Sequence, residues 1–349
     1  MTERNIGLDI LRIIAIILIT NIHYLAYSGL FGMGGANMSG YNYVFVTLLK
    51  SVDYCFLDVF VLITGYFMTM KRAPKRKLVD LWFEMLIVGL FALVITTICF
   101  PQSFSILSAI RTFLPITTYE YWYLFSYGIL YLMIPYINEW IDKIGQKTHL
   151  RVILFWAAIS LFADINPIIK LELIQGNYMG IVWFTYVYIV GSYIRRYGYP
   201  IKGKYFNYLG LLAFIGIFAI YYFHINLPLN IKFYSEVSLP PLLISLALFK
   251  LFSQIKTITF TTDKLISWVA TSSLAVYIVQ EQFQFRSIFW EKLAISEYVN
   301  SPYMIVNWLL CMFILWTLGI VGHSLYKFIY SRYLQGCVYG MINIIKAKL

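Results

Sequence analysis

Long runs of apolar residues recur along the chain and are separated by short polar connections. Ten of these runs reach or approach the ~20 residues that an α-helix needs to cross a bilayer. They cover residues 7–27, 43–69, 79–100, 121–141, 151–166, 179–194, 205–224, 236–253, 266–285 and 302–325. The runs are continuous rather than alternating, which favours helices over the strands of a membrane barrel. The pattern therefore predicts an all-α, polytopic integral membrane protein with about ten transmembrane helices.

The composition agrees with this prediction. Of the 349 residues, 60% are hydrophobic and 12% are charged, whereas soluble domains are about half apolar and a quarter charged. The first run lacks a small-residue cleavage site, so we interpret it as a retained helix. We see no repeat and no long linker, and we expect a single transmembrane domain over residues 1–349. The four cysteines are far apart in sequence, which predicts neither disulfides nor a metal site.

Basic residues are distributed unevenly between the connections. With a cytoplasmic N-terminus, the inner segments carry 20 Lys and Arg residues and the outer segments carry 6. Because Lys and Arg favour the cytoplasmic side, both termini are predicted to be cytoplasmic, in a multi-pass protein of the plasma membrane. The net charge of +11 then reflects topology and does not indicate a nucleic-acid partner. Attraction to anionic membrane lipid or to a phosphorylated ligand stays open.

The first run carries three ionisable side chains. At ~100° per residue, the eleven steps from Arg12 to His23 return to nearly the same helical face, ~16 Å further along the axis. Asp9 lies three residues before Arg12 and can pair with it on that face. Asp9 and Arg12 are explained either as a membrane-boundary anchor or as part of a site. His23 lies deep in the run and is either a structural hydrogen-bonding residue or a general base or proton carrier.

The second run contains a carboxylate and is followed by a basic loop. Asp58 needs a partner inside the membrane, with Arg12 or a nearby tyrosine as candidates. Gly65, next to Tyr66, permits a close approach of two helices. The loop "KRAPKRK" places five cations within seven residues. Topology alone accounts for this loop, and so does a patch that binds a ligand with several phosphates.

Aromatic and polar residues collect at the outer ends of two later runs. The outer connection 101–120 is apolar and is predicted to dip into the membrane or to lie at its surface. After it, Glu120 and three aromatic residues form either an interfacial belt or a surface on which sugar rings stack. The ninth run is polar in its outer half, where residues 280–284 read "QEQFQ". Such a helix is expected to line a water-filled cavity.

Four stretches together resemble the acyltransferase 3 family of membrane proteins. Asp9 and Arg12, followed after ten residues by His23, are similar to the first-helix signature of that family. "LDVFVLITGYFM", "YWYLFSYGILYLMIPYI" and "SSLAVYIVQEQ" resemble three further family segments. The last one departs from the pattern, because Gln280 stands where the family usually has histidine. Glutamine forms hydrogen bonds but does not take up a proton at neutral pH.

The resemblance implies an O-acyltransferase, most simply an O-acetyltransferase that uses cytoplasmic acetyl-CoA and an extracytoplasmic glycan such as a capsular or other surface polysaccharide. It implies a catalytic set of His23, Asp9 and Arg12, with His23 as base or acyl relay and no metal. Coenzyme A phosphates would be bound by Arg12, Arg72, Lys75, Arg76 and Lys77. The glycan would be held by Glu120, Trp122, Tyr123, Gln280, Glu281 and Arg286. Supporting residues would be Asp58, Gly65, Tyr66 and Tyr277.

Two other classes of function stay open. A proton-coupled transporter or flippase of a lipid-linked sugar or small substrate would use the Asp9–Arg12–His23 face as a relay. The loss of histidine at Gln280 also allows a non-catalytic assembly partner. The acceptor and the oligomeric state, a homo-oligomer included, are not fixed by these residues.

Overall fold

The computed structural model describes residues 4–27, 38, 40–71, 76–115, 121–165, 179–225, 235, 237–293 and 295–340. These residues form helices joined by turns, and they contain no strand, which confirms the all-α prediction for this part of the chain. The helices are α1 (Ile6–Tyr27), α2 (Gly40–Asp53), α3 (Cys55–Met68), α4 (Arg76–Cys99), α5 (Ile106–Phe113), α6 (Trp122–Lys143), α7 (Gln146–Ile165), α8 (Met179–Tyr197), α9 (Gly203–Tyr222), α10 (Leu239–Ser253), α11 (Phe260–Thr271), α12 (Ser273–Glu281), α13 (Phe283–Lys292) and α14 (Met304–Tyr326). Short 3₁₀ turns cover Pro101–Ser103 and Ile295–Tyr298, and a π-helical segment at Lys327–Leu334 continues α14.

Four helical segments within the described ranges are long and apolar enough to cross a bilayer. They are α1, α4, α9 and the continuous helix over Met304–Gly340, while the apolar helix α10 is shorter. These helices agree with a membrane protein. The number of ten spans and the cytoplasmic position of both termini stay predictions.

The second predicted run, 43–69, is two helices rather than one. α2 ends at Asp53 and α3 begins at Cys55, with Tyr54 between them. The Ser51 hydroxyl donates a 2.6 Å hydrogen bond to the carbonyl of Thr47 one turn back, as threonine hydroxyls also do inside the unbroken helices α1 and α4. Lys50, Ser51 and Asp53 lie directly before the break, but the run is apolar on average, and average hydropathy does not locate the end of a helix.

The ninth predicted run, 266–285, is also interrupted. It is divided among α11, α12 and α13, with breaks at Ser272 and Gln282. The Gln282 side chain accepts a 2.7 Å hydrogen bond from the backbone N–H of Phe285 and thereby caps α13. The glutamines of this run led to the prediction of a helix that lines a water-filled cavity. One of them, Gln282, is instead the N-cap of α13.

The connection 101–120, which the sequence predicts on the outer side, contains the short helix α5. Its exposed positions are apolar, with Ile106 at 73% and Phe113 at 54% exposure, whereas Ser108 and Thr112 are buried. On a water-soluble protein a surface helix buries its apolar side chains and exposes its polar ones, and α5 does the opposite. The pattern favours lipid at the apolar side of α5, in agreement with a segment at the membrane surface or dipping into it.

The described chain divides into two compact units. The first unit comprises residues 1–73, 126–270 and 296–304, and the second comprises 74–125, 271–295 and 305–349. The single-domain prediction over 1–349 stays a prediction. In the first unit α3 packs closely against α8, and α9 packs against α10. In the second, α4 packs against α12, α13 and α5.

Polar contacts in the second unit join α4 to α14 and its continuation. The Nδ1 atom of His323 lies 2.7 Å from Oε1 of Glu84, and both side chains are buried. One turn away, the Asp80 carboxylate accepts hydrogen bonds from the hydroxyls of Tyr330 at 2.7 Å and Tyr339 at 2.6 Å. These contacts hold the π-helical segment against α4.

Gly65 determines how closely α3 and α8 approach. A Cβ atom at this position would collide with the backbone oxygen of Tyr188. We expect Gly65→Ala to lower the free energy of unfolding by about 1–3 kcal/mol, the usual cost of overpacking. The measurement is thermal unfolding of the purified protein in detergent. Gly128→Ala is the matched control, because nothing lies within 4 Å of a Cβ built there; equal melting temperatures for the two variants would contradict the prediction.

Candidate functional site

Asp9 is the centre of a buried charge cluster at the start of α1. Its side chain is 1% exposed. It accepts hydrogen bonds from Arg4 Nε at 2.5 Å, Arg12 Nη1 at 2.6 Å and Ser267 Oγ at 3.0 Å. Arg12 thus pairs with Asp9 as the sequence spacing predicts, and its own side chain stays 32% exposed. A guanidinium has several N–H donors, so Arg12 can be anchored by Asp9 and still bind an anion.

Arg4 and Asn5 tie this cluster to the end of α10 and to α11. Arg4 Nη2 donates to the carbonyl of Ser267 at 2.9 Å, and Asn5 Nδ2 donates to the carbonyl of Ser253 at 2.9 Å. Gly7 packs so closely on Phe252 that a Cβ atom would collide with the Phe252 backbone. The beginning of α1 is therefore fixed by contacts with two other helical segments.

His23 lies on α1, eleven residues after Arg12, and is partly buried. Its ring centroid is 5.8 Å from that of Tyr27. Two residues earlier, the Asn21 side chain donates a 2.6 Å hydrogen bond to Oδ2 of Asp53 at the end of α2. This buried contact braces the part of α1 that carries His23 against α2.

Asp58 on α3 is buried, and its partner differs from the one expected. Its Oδ1 accepts a 2.7 Å hydrogen bond from the indole N–H of Trp183 on α8. The expected partners were Arg12, which pairs with Asp9 instead, or a tyrosine. Asp58 thus joins α3 to α8. The Tyr66 hydroxyl, further along α3, accepts a 3.2 Å hydrogen bond from Arg195 Nη1.

The predicted phosphate patch is described only in part. Arg72 and Lys75 lie outside the described residues. Lys71, Arg76 and Lys77 are exposed, and the Arg76 guanidinium lies 4.9 Å from the ring centroid of Tyr339. The exposed cations agree with either explanation of the loop.

Three tyrosines meet in the second unit, next to the polar end of α12. The Tyr277 ring centroid lies 6.2 Å from that of Tyr121 and 6.0 Å from that of Tyr123. All three side chains are buried. Trp122 is partly buried, and its ring makes an edge contact with Tyr123 at 6.1 Å. The structure therefore brings Tyr123 and Tyr277 together, as parts of one aromatic cluster.

The remaining predicted glycan residues follow on α12 and α13. Gln280 is fully buried and Glu281 is 5% exposed. Arg286 Nη1 lies 3.1 Å from Oε2 of Glu281 and forms an ion pair with it. Glu120 lies outside the described residues. Within this unit the structure thus places one carboxylate–guanidinium pair, a buried amide and the aromatic cluster along neighbouring segments.

Several residues of these clusters are not found by sequence reasoning. They are Arg4, Asn21, Asp53, Trp183 and Ser267. Asp53 carried a usable signal, since it is a carboxylate inside an apolar run just as Asp58 is. Arg4, Trp183 and Ser267 have no such signal, because their role depends on partners far away in the chain.

Comparison with known families supplies an independent finding. The model of the acyltransferase 3 family, described as "Acyltransferase domain", matches residues 5–325. The matched range includes α1 to α13 and nearly all of α14. Comparisons with curated proteins and with solved structures gave no match.

Proposed function

Because the chain belongs to the acyltransferase 3 family and is a membrane acyltransferase, we propose that it is an O-acetyltransferase of the plasma membrane. The donor is cytoplasmic acetyl-CoA, and the acceptor is a hydroxyl group of an extracytoplasmic or surface glycan. The chain crosses the membrane about ten times in this proposal, with both termini in the cytoplasm. The observation that carries the proposal is the Asp9–Arg12 ion pair on the helix of His23.

Arg12 has the properties expected of a donor-binding residue. Asp9 holds one guanidinium nitrogen, while 32% exposure of the Arg12 side chain leaves room for an anion. Arginine binds phosphate groups through charge-assisted, often bidentate hydrogen bonds. In the proposal Arg12 binds a phosphate of coenzyme A, together with the basic residues Arg72, Lys75, Arg76 and Lys77.

His23 supplies the acid–base chemistry in this proposal. Its neutral imidazole takes the proton of the acceptor hydroxyl while the hydroxyl oxygen attacks the thioester carbonyl. The C–S bond then breaks, and the coenzyme A sulfur leaves and receives the proton from the imidazolium. An acyl-imidazole intermediate is the second route by which the same residue would serve. Asp9 acts as a positioning residue, because it orients Arg12.

The glycan is assigned to the second unit. Aromatic rings and hydrogen-bonding side chains together are suited to sugars, which present both C–H faces and hydroxyl groups. The proposed residues are Glu120, Trp122, Tyr123, Gln280, Glu281 and Arg286. Asp58, Gly65, Tyr66 and Tyr277 are proposed to support the two sets of residues by fixing their helices.

The proposal is tested with membranes from cells that express the chain. Radiolabelled acetyl-CoA is supplied to inside-out vesicles, and label is measured in the extracted glycan fraction. Label above that of vesicles without the chain is the expected result. No transfer of label, combined with proton-driven flux of a sugar across the vesicles, would instead favour the transporter alternative.

Replacing Arg12 separates donor binding from chemistry. We expect Arg12→Ala to raise the KM for acetyl-CoA about tenfold, equivalent to about 1.4 kcal/mol, because a charge-assisted contact to phosphate is lost. Arg12→Lys should have an intermediate effect, since lysine keeps the charge but not the planar fork. Arg151→Ala is the control, because Arg151 is an exposed arginine of α7. An unchanged KM in Arg12→Ala would contradict the assignment.

A further inference from the structure

One face of α12 carries buried polar groups that have no hydrogen-bond partner among the described residues. Gln280 is fully buried, and neither its Nε2 nor its Oε1 atom is hydrogen-bonded. The Ser273 Oγ atom is buried and unpartnered in the same way. The two residues are seven positions apart, which places them on nearly the same side of the helix.

Among the three glutamines of this stretch, Gln280 is the one in which both amide atoms lack a partner within the described part of the chain, whereas in Gln284 only the Oε1 atom does. Gln282 is equally buried, but its oxygen accepts from the N–H of Phe285 at 2.7 Å and its Nε2 donates to Thr112 Oγ1 at 3.1 Å. The Nε2 of Gln284 donates to Thr97 Oγ1 at 3.2 Å and to Ser103 Oγ at 3.1 Å. Buried amides are nearly always hydrogen-bonded in proteins, because an unpaired one loses its contacts with water without replacement.

The surroundings define the chemistry of a ligand that would satisfy Gln280. The charges nearby on the chain, those of Glu281 and Arg286, form an ion pair with each other at 3.1 Å. A primary amide offers donors and an acceptor side by side. The Tyr277 ring, three residues before Gln280, belongs to the aromatic cluster with Tyr121 and Tyr123. This combination fits a neutral group that offers its own donor and acceptor next to an apolar face.

We propose that Gln280 is a specificity-determining residue that binds a neutral sugar ring through a vicinal diol or an acetamido group. The proposal rests on the proposed function, and it makes this sugar part of the acceptor. The amide is covered in this structure, so the sugar reaches Gln280 only after a local opening of the surrounding segments, a step of the kind that gates many enzymes. Histidine at this position would add a titratable group, whereas the Gln280 amide is uncharged and binds the sugar through hydrogen bonds alone.

The first experiment compares the thermal unfolding of full-length Gln280→Leu and Gln282→Leu in detergent. Leucine removes an unsatisfied amide in the first variant and a satisfied cap in the second. We expect the melting temperature of Gln280→Leu to equal or exceed that of the wild type, and that of Gln282→Leu to fall by several degrees. A fall in Gln280→Leu as large as that in Gln282→Leu would overturn the proposal, because it would show that the amide has a structural partner.

The second experiment measures sugar binding directly by calorimetry. The probes are chitotetraose, which carries acetamido groups, and cellotetraose, which carries only hydroxyl groups. We expect the wild type to bind at least one of them, and Gln280→Leu to weaken that Kd at least tenfold. The probe that binds identifies the recognised group. Binding of neither probe at millimolar concentration, or equal Kd values for wild type and variant, would overturn the inference.

These measurements separate the inference from the proposed function. Sugar binding that depends on Gln280, without transfer of label from acetyl-CoA, would support this site and reject the acetyltransferase. Label transfer to the glycan by a protein that binds neither tetrasaccharide would support the acetyltransferase and reject the site.

Discussion

Replacing His23 by alanine is expected to lower the rate of acetyl transfer by about 10²–10⁴-fold, the usual contribution of a positioned general acid–base. The expected loss is in kcat at saturating acetyl-CoA, because the imidazole acts on the reacting hydroxyl and not on the coenzyme A phosphates. His23→Gln should be nearly as inactive, since glutamine keeps hydrogen-bonding capacity but does not take up a proton at neutral pH. The measurement is radiolabel transfer from acetyl-CoA to the glycan fraction of inside-out vesicles.

The control for His23→Ala is a second histidine that lies outside the proposed site. His224 follows α9, is exposed, and its Nε2 lies 3.1 Å from the Tyr43 hydroxyl. His224→Ala should therefore leave the transfer rate close to that of the wild type. Melting temperatures of both variants verify that each is folded. Label transfer that survives in folded His23→Ala would reject His23 as base and as acyl relay.

The first helix was predictable because its signals are local. A long apolar run gives α1, and the three-residue spacing of Asp9 and Arg12 gives their ion pair, observed at 2.6 Å. The break between α2 and α3 was not predictable in this way. Lys50, Ser51 and Asp53 precede Tyr54, but polar residues also occur inside the continuous helix α1, so they do not by themselves mark the end of a helix.

The partners of buried charged groups were less predictable than the groups themselves. An aspartate inside an apolar run signals that a partner is needed, and Asp58 was found on that basis. The local sequence pattern does not indicate which distant side chain will be the partner. Trp183 is 125 positions away from Asp58, and Ser267 is 258 positions away from Asp9. Such pairs are set by tertiary packing and become visible only in the folded structure.

The second large effect is expected at Asp9. Its carboxylate is 1% exposed and is the acceptor for Arg4, Arg12 and Ser267. Asp9→Ala leaves the two guanidinium groups close together without their counter-charge. Removing one partner of a buried pair costs about 3–5 kcal/mol, and we expect a loss near the lower end because Arg4 and Arg12 are 52% and 32% exposed. The measurement is the melting temperature in detergent.

Glu139→Ala provides the matched control for the loss of a carboxylate. Glu139 pairs with Lys143 at 2.7 Å, but the two side chains are 65% and 71% exposed. Surface pairs of this kind contribute little to stability, because water screens the two charges, so this variant should melt close to the wild type. Equal melting temperatures for Asp9→Ala and Glu139→Ala would show that the Asp9 cluster contributes no more than a surface ion pair.

Kinetics distinguish a positioning role of Asp9 from a purely structural one. Asp9→Asn keeps the shape of the side chain and one acceptor oxygen, but it removes the charge that orients Arg12. If Asp9 positions Arg12 for the donor, folded Asp9→Asn should show a raised KM for acetyl-CoA with a smaller change in kcat, as Arg12→Ala does. In the double variant of Asp9→Asn with Arg12→Ala the two effects on KM should not add, because both act through one contact. Additive effects would place Asp9 outside the donor site and leave it with stability alone.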